Sequence, residues 1–130
     1  MARTIPSLRV LIVDDEPLIR WSMAETLKGC GHVVSEASSA ETALAAASQS
    51  PLAFDVVLLD FRLPDSKDLT LLAKLRRLLP RAQIIMMTAY GTSEVFHQAL
   101  ELGAYRIITK PFELDEVANL VLQAHSARPA

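Results

Sequence analysis

The sequence predicts an α/β fold, a five-stranded parallel sheet with helices on both faces. Five short apolar runs punctuate the chain: Leu8–Val13, His32–Ala37, Asp55–Asp60, Ala82–Thr88 and Tyr105–Thr109. Runs such as Val10-Leu11-Ile12-Val13 and Ile84-Ile85-Met86-Met87 show no polar alternation. Continuous aliphatic runs mark strands covered on both faces. Segments of helical character separate the runs, so strand and helix alternate, and that order requires right-handed crossovers.

The first helix begins at Pro17, which a first helical turn tolerates, and ends at Gly29/Gly31. Ser39 introduces an alanine-rich second helix over Ala40–Ser48, with Pro51 beyond it. The third spans Leu69–Leu79, where Leu71, Leu72, Leu75, Leu78 and Leu79 form an apolar stripe closed by Pro80. Thr92/Ser93 cap the fourth, in which Val95, Phe96, Ala99, Leu100 and Leu102 are expected to face inward, and Gly103 stops it. The fifth, Glu113–Gln123, follows Pro111-Phe112, with Leu114, Val117, Val121 and Leu122 at helical spacing. Ala124–Ala130 reads as a tail resembling a linker.

At 130 residues the chain is expected to be one domain, with its core over about 8–125 and 126–130 as a tail or the start of a linker. Its 51% hydrophobic content excludes a disordered chain. A net charge of −2 with both signs interspersed offers no basic patch for nucleic acid. No apolar stretch approaches the ~18 residues of a membrane span. The lone Cys30 has no internal disulfide partner, and Met1–Ser7 does not read as a signal peptide, so a cytoplasmic location is expected.

In open parallel sheets, ligands bind beyond the carboxyl ends of the strands. Asp14-Asp15 ends the first run, Asp60 the third and Thr88 the fourth, and Lys110 follows the fifth, so the topology gathers all of them at that edge. A carboxylate closing a buried strand is costly to desolvate unless it meets water, a cation or a donor. Clustered carboxylates repel, and a hard divalent cation such as Mg²⁺ relieves the repulsion. Lys110 supplies a point charge suited to a phosphate oxygen, and Thr88 a neutral hydroxyl. A carboxylate nucleophile, a metal, a lysine and a hydroxyl make a phosphoryl-transfer site that works by positioning and charge neutralisation. Read singly, these residues are ordinary: Asp14-Asp15 caps a helix, Thr88 ends a strand and Lys110 lies on the surface. Asp65 and Lys67 read as solvated loop charges, and His32, His97 and His125 as surface or partly packed side chains. Trp21 reads as helix packing or partner surface.

Val13-Asp14-Asp15-Glu16, Leu58-Leu59-Asp60 with Leu63-Pro64, Met87-Thr88-Ala89 and Thr109-Lys110-Pro111-Phe112 together resemble the receiver domains of bacterial two-component response regulators. The resemblance covers residues 8–125 and implies a flavodoxin-like (βα)5 fold with strand order 2-1-3-4-5. It implies that Asp60 accepts a phosphoryl group from the phosphohistidine of a sensor histidine kinase. Asp15 and Asp60 would bind Mg²⁺ directly, Asp14 through water, and the Arg62 main-chain carbonyl would be a further ligand. Lys110 would contact the phosphoryl oxygens, the Lys110–Pro111 bond would be cis, Thr88 would swing towards the phosphoryl group, and Ala89 would keep the approach open. The output would be a rearrangement of the fourth helix, fifth strand and fifth helix, controlling an output domain or partner, and a homodimer through the same face is a further expectation. Such a protein assists only its own phosphorylation and dephosphorylation and is not an enzyme. Glu16–Ser22 and Thr88–Gly91 are similar to receivers of the nitrogen-regulatory, enhancer-binding activator type.

The chain departs from the family pattern at four places, one being Arg106, which stands where many relatives have Asp. Ile107 stands where an aromatic residue is usual, and alternation along a strand puts Tyr105 on the same face, one step further from Lys110. Asp68 replaces a common Gly, a position where Asp tolerates a left-handed conformation. The fifth helix has no Arg or Lys, which argues against a salt-bridged dimer face. Two other functions compete: an interaction module of the same fold that signals without phosphorylation, and a hydrolase with an aspartyl nucleophile. The hydrolase would need a second acid two residues after Asp60, where Arg62 stands.

Overall fold

The computed structural model describes residues 6–49, 54–89 and 91–127. Residues 1–5 of the N-terminal segment, Pro51, Tyr90 and tail residues 128–130 lie outside the described residues. The elements alternate as β1 (Arg9–Val13), α1 (Pro17–Gly29), β2 (Val33–Ala37), α2 (Ala40–Gln49), β3 (Val56–Asp60), α3 (Thr70–Leu78), β4 (Gln83–Thr88), α4 (Ser93–Glu101), β5 (Ala104–Thr109) and α5 (Leu114–Ser126). All strand pairs are parallel, in the order β2-β1-β3-β4-β5. No helix among the described residues is long and apolar enough to cross a membrane.

The side-chain period of two explains the unbroken apolar runs. Leu11, Val13, Val57, Leu59, Ile84 and Met86 point to one face, where Ala43 and Ala47 of α2 and Leu71, Leu72 and Leu75 of α3 cover them. Val10, Ile12, Val56, Leu58, Ile85 and Met87 point to the other, beneath Met23 and Leu27 of α1 and Val117 and Val121 of α5. Two cores need apolar residues at every position of a central strand. The edge strands β2 and β5 bury fewer positions. Leu75 is fully enclosed in the first core. Leu75→Ala is expected to cost about 2–5 kcal/mol, read as a lower urea midpoint with unchanged slope.

Helix ends follow local chemistry. Pro17 occupies the first turn of α1, and Gly31, at φ +93°, supplies the left-handed residue past its end. The Ser39 hydroxyl accepts from Thr42 N–H at 3.1 Å, and that of Thr92 from Val95 N–H at 3.2 Å, capping α2 and α4. Asp68 needs no left-handed backbone: among the described residues only glycines have positive φ, and its Oδ1 accepts from Thr70 N–H at 2.9 Å at the start of α3.

Several expectations require correction. Leu100 and Leu102 do not face inward; they are 49% and 39% exposed. Leu100 is one residue, about 100° of helix, past the buried Ala99, and Leu102 follows the end of α4. Leu114 is likewise partly exposed. The tail begins later than expected, because α5 continues through Ser126 and buries Ala124 completely. His32 is neither surface nor partly packed: it is buried, and its Nδ1 accepts from Leu8 N–H at 3.1 Å while burial lowers its pKa. Tyr105 and Ile107 do not share a face. The β4–β5 register jumps from Ile84↔Ala104 to Ile85↔Arg106, so Tyr105 is an unmatched bulge residue. Tyr105 packs on the α1–α5 side, and Ile107 on the α2–α3 side.

Candidate functional site

Register in the sheet brings the carboxyl ends of four strands together, β3 ending one residue beyond β1 and β4 one residue beyond β3. Val13 aligns with Leu59, Asp60 with Met87 and Thr88 with Thr109. The ladder extends past the strands, with Asp14 N–H donating to Ala37 O at 3.0 Å, Phe61 N–H to Met87 O at 2.8 Å and Lys110 N–H to Thr88 O at 2.8 Å. The residues just beyond the strands are thereby held as firmly as the strands themselves.

Carboxylate oxygens of Asp14, Asp15 and Asp60 lie within 4.8 Å of one another. Asp14 and Asp60 are buried and Asp15 is exposed, so the cluster opens to solvent on one side. Lys110 Nζ lies 3.1 Å from Asp14 Oδ2, 3.3 Å from Asp60 Oδ2 and 3.7 Å from Glu16 Oε1. The second oxygens have donors too: Asp14 Oδ1 accepts from Glu16 N–H at 2.9 Å and Asp60 Oδ1 from Arg62 N–H at 3.3 Å. Thr88 is buried beside them at the end of β4, and Ala89, exposed, lines a groove with Glu16, Lys110, Pro111 and Phe112. The Lys110–Pro111 peptide bond is cis. Ile107, half-buried, lies two residues before the end of β5.

Burial and the neighbouring Asp14 charge push the Asp60 carboxyl up to about 6, although Lys110 and the Arg62 N–H oppose the rise. Burial disfavours the Lys110 ammonium, but the charges of Asp14, Asp60 and Glu16 outweigh it and raise its pKa above the ordinary lysine value. One cation thus serves several carboxylates, and Asp60 is left with a high affinity for any positive group that reaches it. The donor set is all hard oxygen, anionic and open on one side, which fits a hexacoordinate divalent cation that keeps some of its water.

Three residues of the site escaped sequence reasoning. Glu16 reaches Lys110 as a third acid. Arg20, one turn into α1, donates to the Asp14 main-chain carbonyl at 2.7 Å and is itself held by Glu36 at 3.1 Å. Asp65, read as a solvated loop charge, accepts from Ala40 N–H at 2.8 Å and Glu41 N–H at 3.0 Å, at the start of α2. No local signal links Arg20 to the Asp14 main-chain carbonyl or Asp65 to α2. Lys67, exposed, shows no role at the acid cluster.

Residues 10–122 match the family described as the response regulator receiver domain. The chain is 36% identical over 118 residues to the DNA-binding transcriptional regulator NtrC of Salmonella typhimurium, covering 90% of this chain and 24% of that protein. It is 36% identical over 116 residues to the response regulator protein PilR of Pseudomonas aeruginosa, covering 89% of this chain and 26% of that protein. It therefore spans about a quarter of the length of these relatives. Among solved structures, NtrX from Brucella abortus is similar with a TM-score of 0.83 and 32% identity, covering 93% of this chain and 27% of that one. A CheY-like receiver domain protein from Methanospirillum hungatei is similar with a TM-score of 0.87 and 30% identity, covering 93% and 95%.

Proposed function

The chain belongs to the response regulator receiver family, and from that premise we propose that Asp60 accepts a phosphoryl group from the phosphohistidine of a sensor histidine kinase. The observation that carries this reading is Asp60 itself, a buried strand-end carboxylate with a lysine ammonium at 3.3 Å and two further acids beside it. At pH 7 a group with a pKa of about 6 is mostly ionised and is a competent oxygen nucleophile. A carboxylate oxygen attacks phosphorus as the phosphorus–nitrogen bond breaks. The electron pair returns to the leaving imidazole, and an acyl phosphate forms on Asp60. Asp14, Asp15 and Asp60, with the Arg62 main-chain carbonyl, are the residues that would hold Mg²⁺. Bound there, the ion supplies positive charge against the phosphoryl oxygens. Lys110 needs little movement to exchange a carboxylate oxygen for a phosphoryl oxygen, and the Thr88 hydroxyl donates to another. Ala89 leaves the approach to Asp60 unobstructed.

The added charge of about −2 shifts a two-state equilibrium only through contacts that differ between the states. Thr88 heads the loop into α4, and the Lys110 backbone is bonded to Thr88, so the face made by α4, β5 and α5 is the one we assign to output. Its partner is an output domain or a downstream protein; a homodimer through this face belongs to the same proposal. Ile107 favours a second reading, a module of the same fold that signals without phosphorylation, because the position lacks an aromatic ring to follow Thr88. Mg²⁺ with a small acyl-phosphate donor is expected to add one phosphoryl group per chain, located on Asp60 by peptide mass spectrometry. A protein that binds Mg²⁺ yet stays unmodified refutes the first reading and leaves the second.

A further inference from the structure

The loop from Asp60 to α3 carries the Arg62 carbonyl, and its course is fixed from both ends. Upstream, the Phe61 N–H bond to Met87 O ties it to β4. Downstream, Leu63 and Ser66 exchange backbone hydrogen bonds at 2.8 and 3.2 Å, closing a tight turn with Pro64-Asp65 at its tip. Leu63 is buried and anchors the inner side of that turn. The tip has its own anchor, because both Asp65 carboxylate oxygens accept backbone N–H groups from the start of α2. These bonds join segments 25 and 24 residues apart in sequence. They also satisfy N–H groups that a helix start leaves without intrahelical partners, and they place a negative charge where the helix dipole favours it. In keeping with this, the Ala40 and Glu41 N–H groups hold the Asp65 carboxyl below its ordinary value.

We infer that Asp65 is a positioning residue for the metal site: by pinning the turn after Asp60 to α2, it fixes the backbone that presents the Arg62 carbonyl. This rests on the reading of the Asp14–Asp15–Asp60 cluster given above. Mg²⁺ tolerates little departure from octahedral geometry, so a carbonyl ligand on a loosened loop binds it less well. Residues that orient ligands without touching the metal commonly alter affinity by about tenfold or more. Asp65 also makes α2 part of the site's support, although α2 brings no side chain to the acid cluster.

The test compares wild type, Asp65→Ala, Asp65→Asn and Asp55→Ala. Asp55 accepts the Arg9 N–H at 2.9 Å before β3, at the opposite edge of the sheet, and serves as the control. Calorimetric titration with Mg²⁺ is expected to show about tenfold weaker binding in Asp65→Ala, a smaller loss in Asp65→Asn, which keeps one acceptor, and none in Asp55→Ala. Phosphorylation by acetyl phosphate is expected to slow in Asp65→Ala at limiting Mg²⁺ and to recover at saturating Mg²⁺. In metal-free protein, amide exchange at Leu63 and Ser66 is expected to quicken in Asp65→Ala alone. Mg²⁺ affinity within twofold of wild type in Asp65→Ala overturns the assignment, as does an equal loss in Asp55→Ala. A wild type that binds no Mg²⁺ overturns the reading of the acid cluster itself, and the Asp65 assignment with it.

Discussion

Asp60→Asn is expected to abolish phosphorylation by an acyl phosphate and, in the same protein, to raise stability in the absence of metal. The first effect follows from chemistry, since an amide oxygen is a poor nucleophile towards phosphorus and no other residue of the site occupies its place. The second follows from the raised pKa. The folded protein holds Asp60 with a pKa of about 6, against 3.8 for the unperturbed carboxyl, so the folded state binds the proton more tightly than the unfolded one. That contribution is fully present below about pH 4 and is lost as pH rises through 6. At pH 7 the ionised group therefore costs the fold roughly 3 kcal/mol, the free energy of such a shift. A neutral isostere removes much of that cost. Urea unfolding at pH 7 with a chelator should show Asp60→Asn to be more stable than wild type, with the gap narrowing towards pH 5. An unchanged or lower midpoint at pH 7 would mean that Lys110 already compensates the acid cluster. Mg²⁺ should close the gap from the other side, stabilising wild type far more than the variant.

Lys110→Ala is expected to have the opposite sign. Its side chain is 12% exposed, and the ammonium lies within 3.3 Å of both Asp14 and Asp60. Removing one partner of a buried ion pair leaves uncompensated charge, a loss of about 3–5 kcal/mol at neutral pH. Lysine keeps its proton throughout the neutral range, where the acids are ionised, so this stabilisation spans that range. Without the ammonium, the Asp60 carboxyl should rise above 6. Mg²⁺ binding at pH 8 should tighten, because the ion no longer competes with a resident cation, and should weaken steeply on acidification. Calorimetric titration at pH 6 and pH 8, with urea unfolding at each, checks both signs. A variant as stable as wild type, with the same pH dependence of metal binding, would remove Lys110 from its role as counter-ion.

The central strands were legible because β1, β3 and β4 lie between two cores, and apolar residues at every position are what two cores require. The gathering of Asp14-Asp15, Asp60, Thr88 and Lys110 at one end of the sheet was legible for a related reason: a carboxylate, a hydroxyl or a lysine is conspicuous where a buried run ends. Helix starts with a local cap, at Ser39 and Thr92, could be read from adjacent residues. The inward list for α4 was wrong at Leu100 and Leu102 because apolar character does not fix which face of a short helix meets the sheet. The end of α5 was misplaced because Ala124 says little about burial on its own.

The sequence by itself determined the alternation of strands and helices and which polar residues stand where the buried runs end, since each of those rests on the character of neighbouring residues. Only the tertiary structure decided the supports: Arg20 on the Asp14 carbonyl, Asp65 on α2, His32 buried against Leu8, and Tyr105 turned to the opposite face from Ile107 by a bulge. Each depends on a backbone group or a register step brought close by folding. Backbone groups are the same for nearly every residue, so a bond from a side chain to a distant one leaves no pattern along the chain.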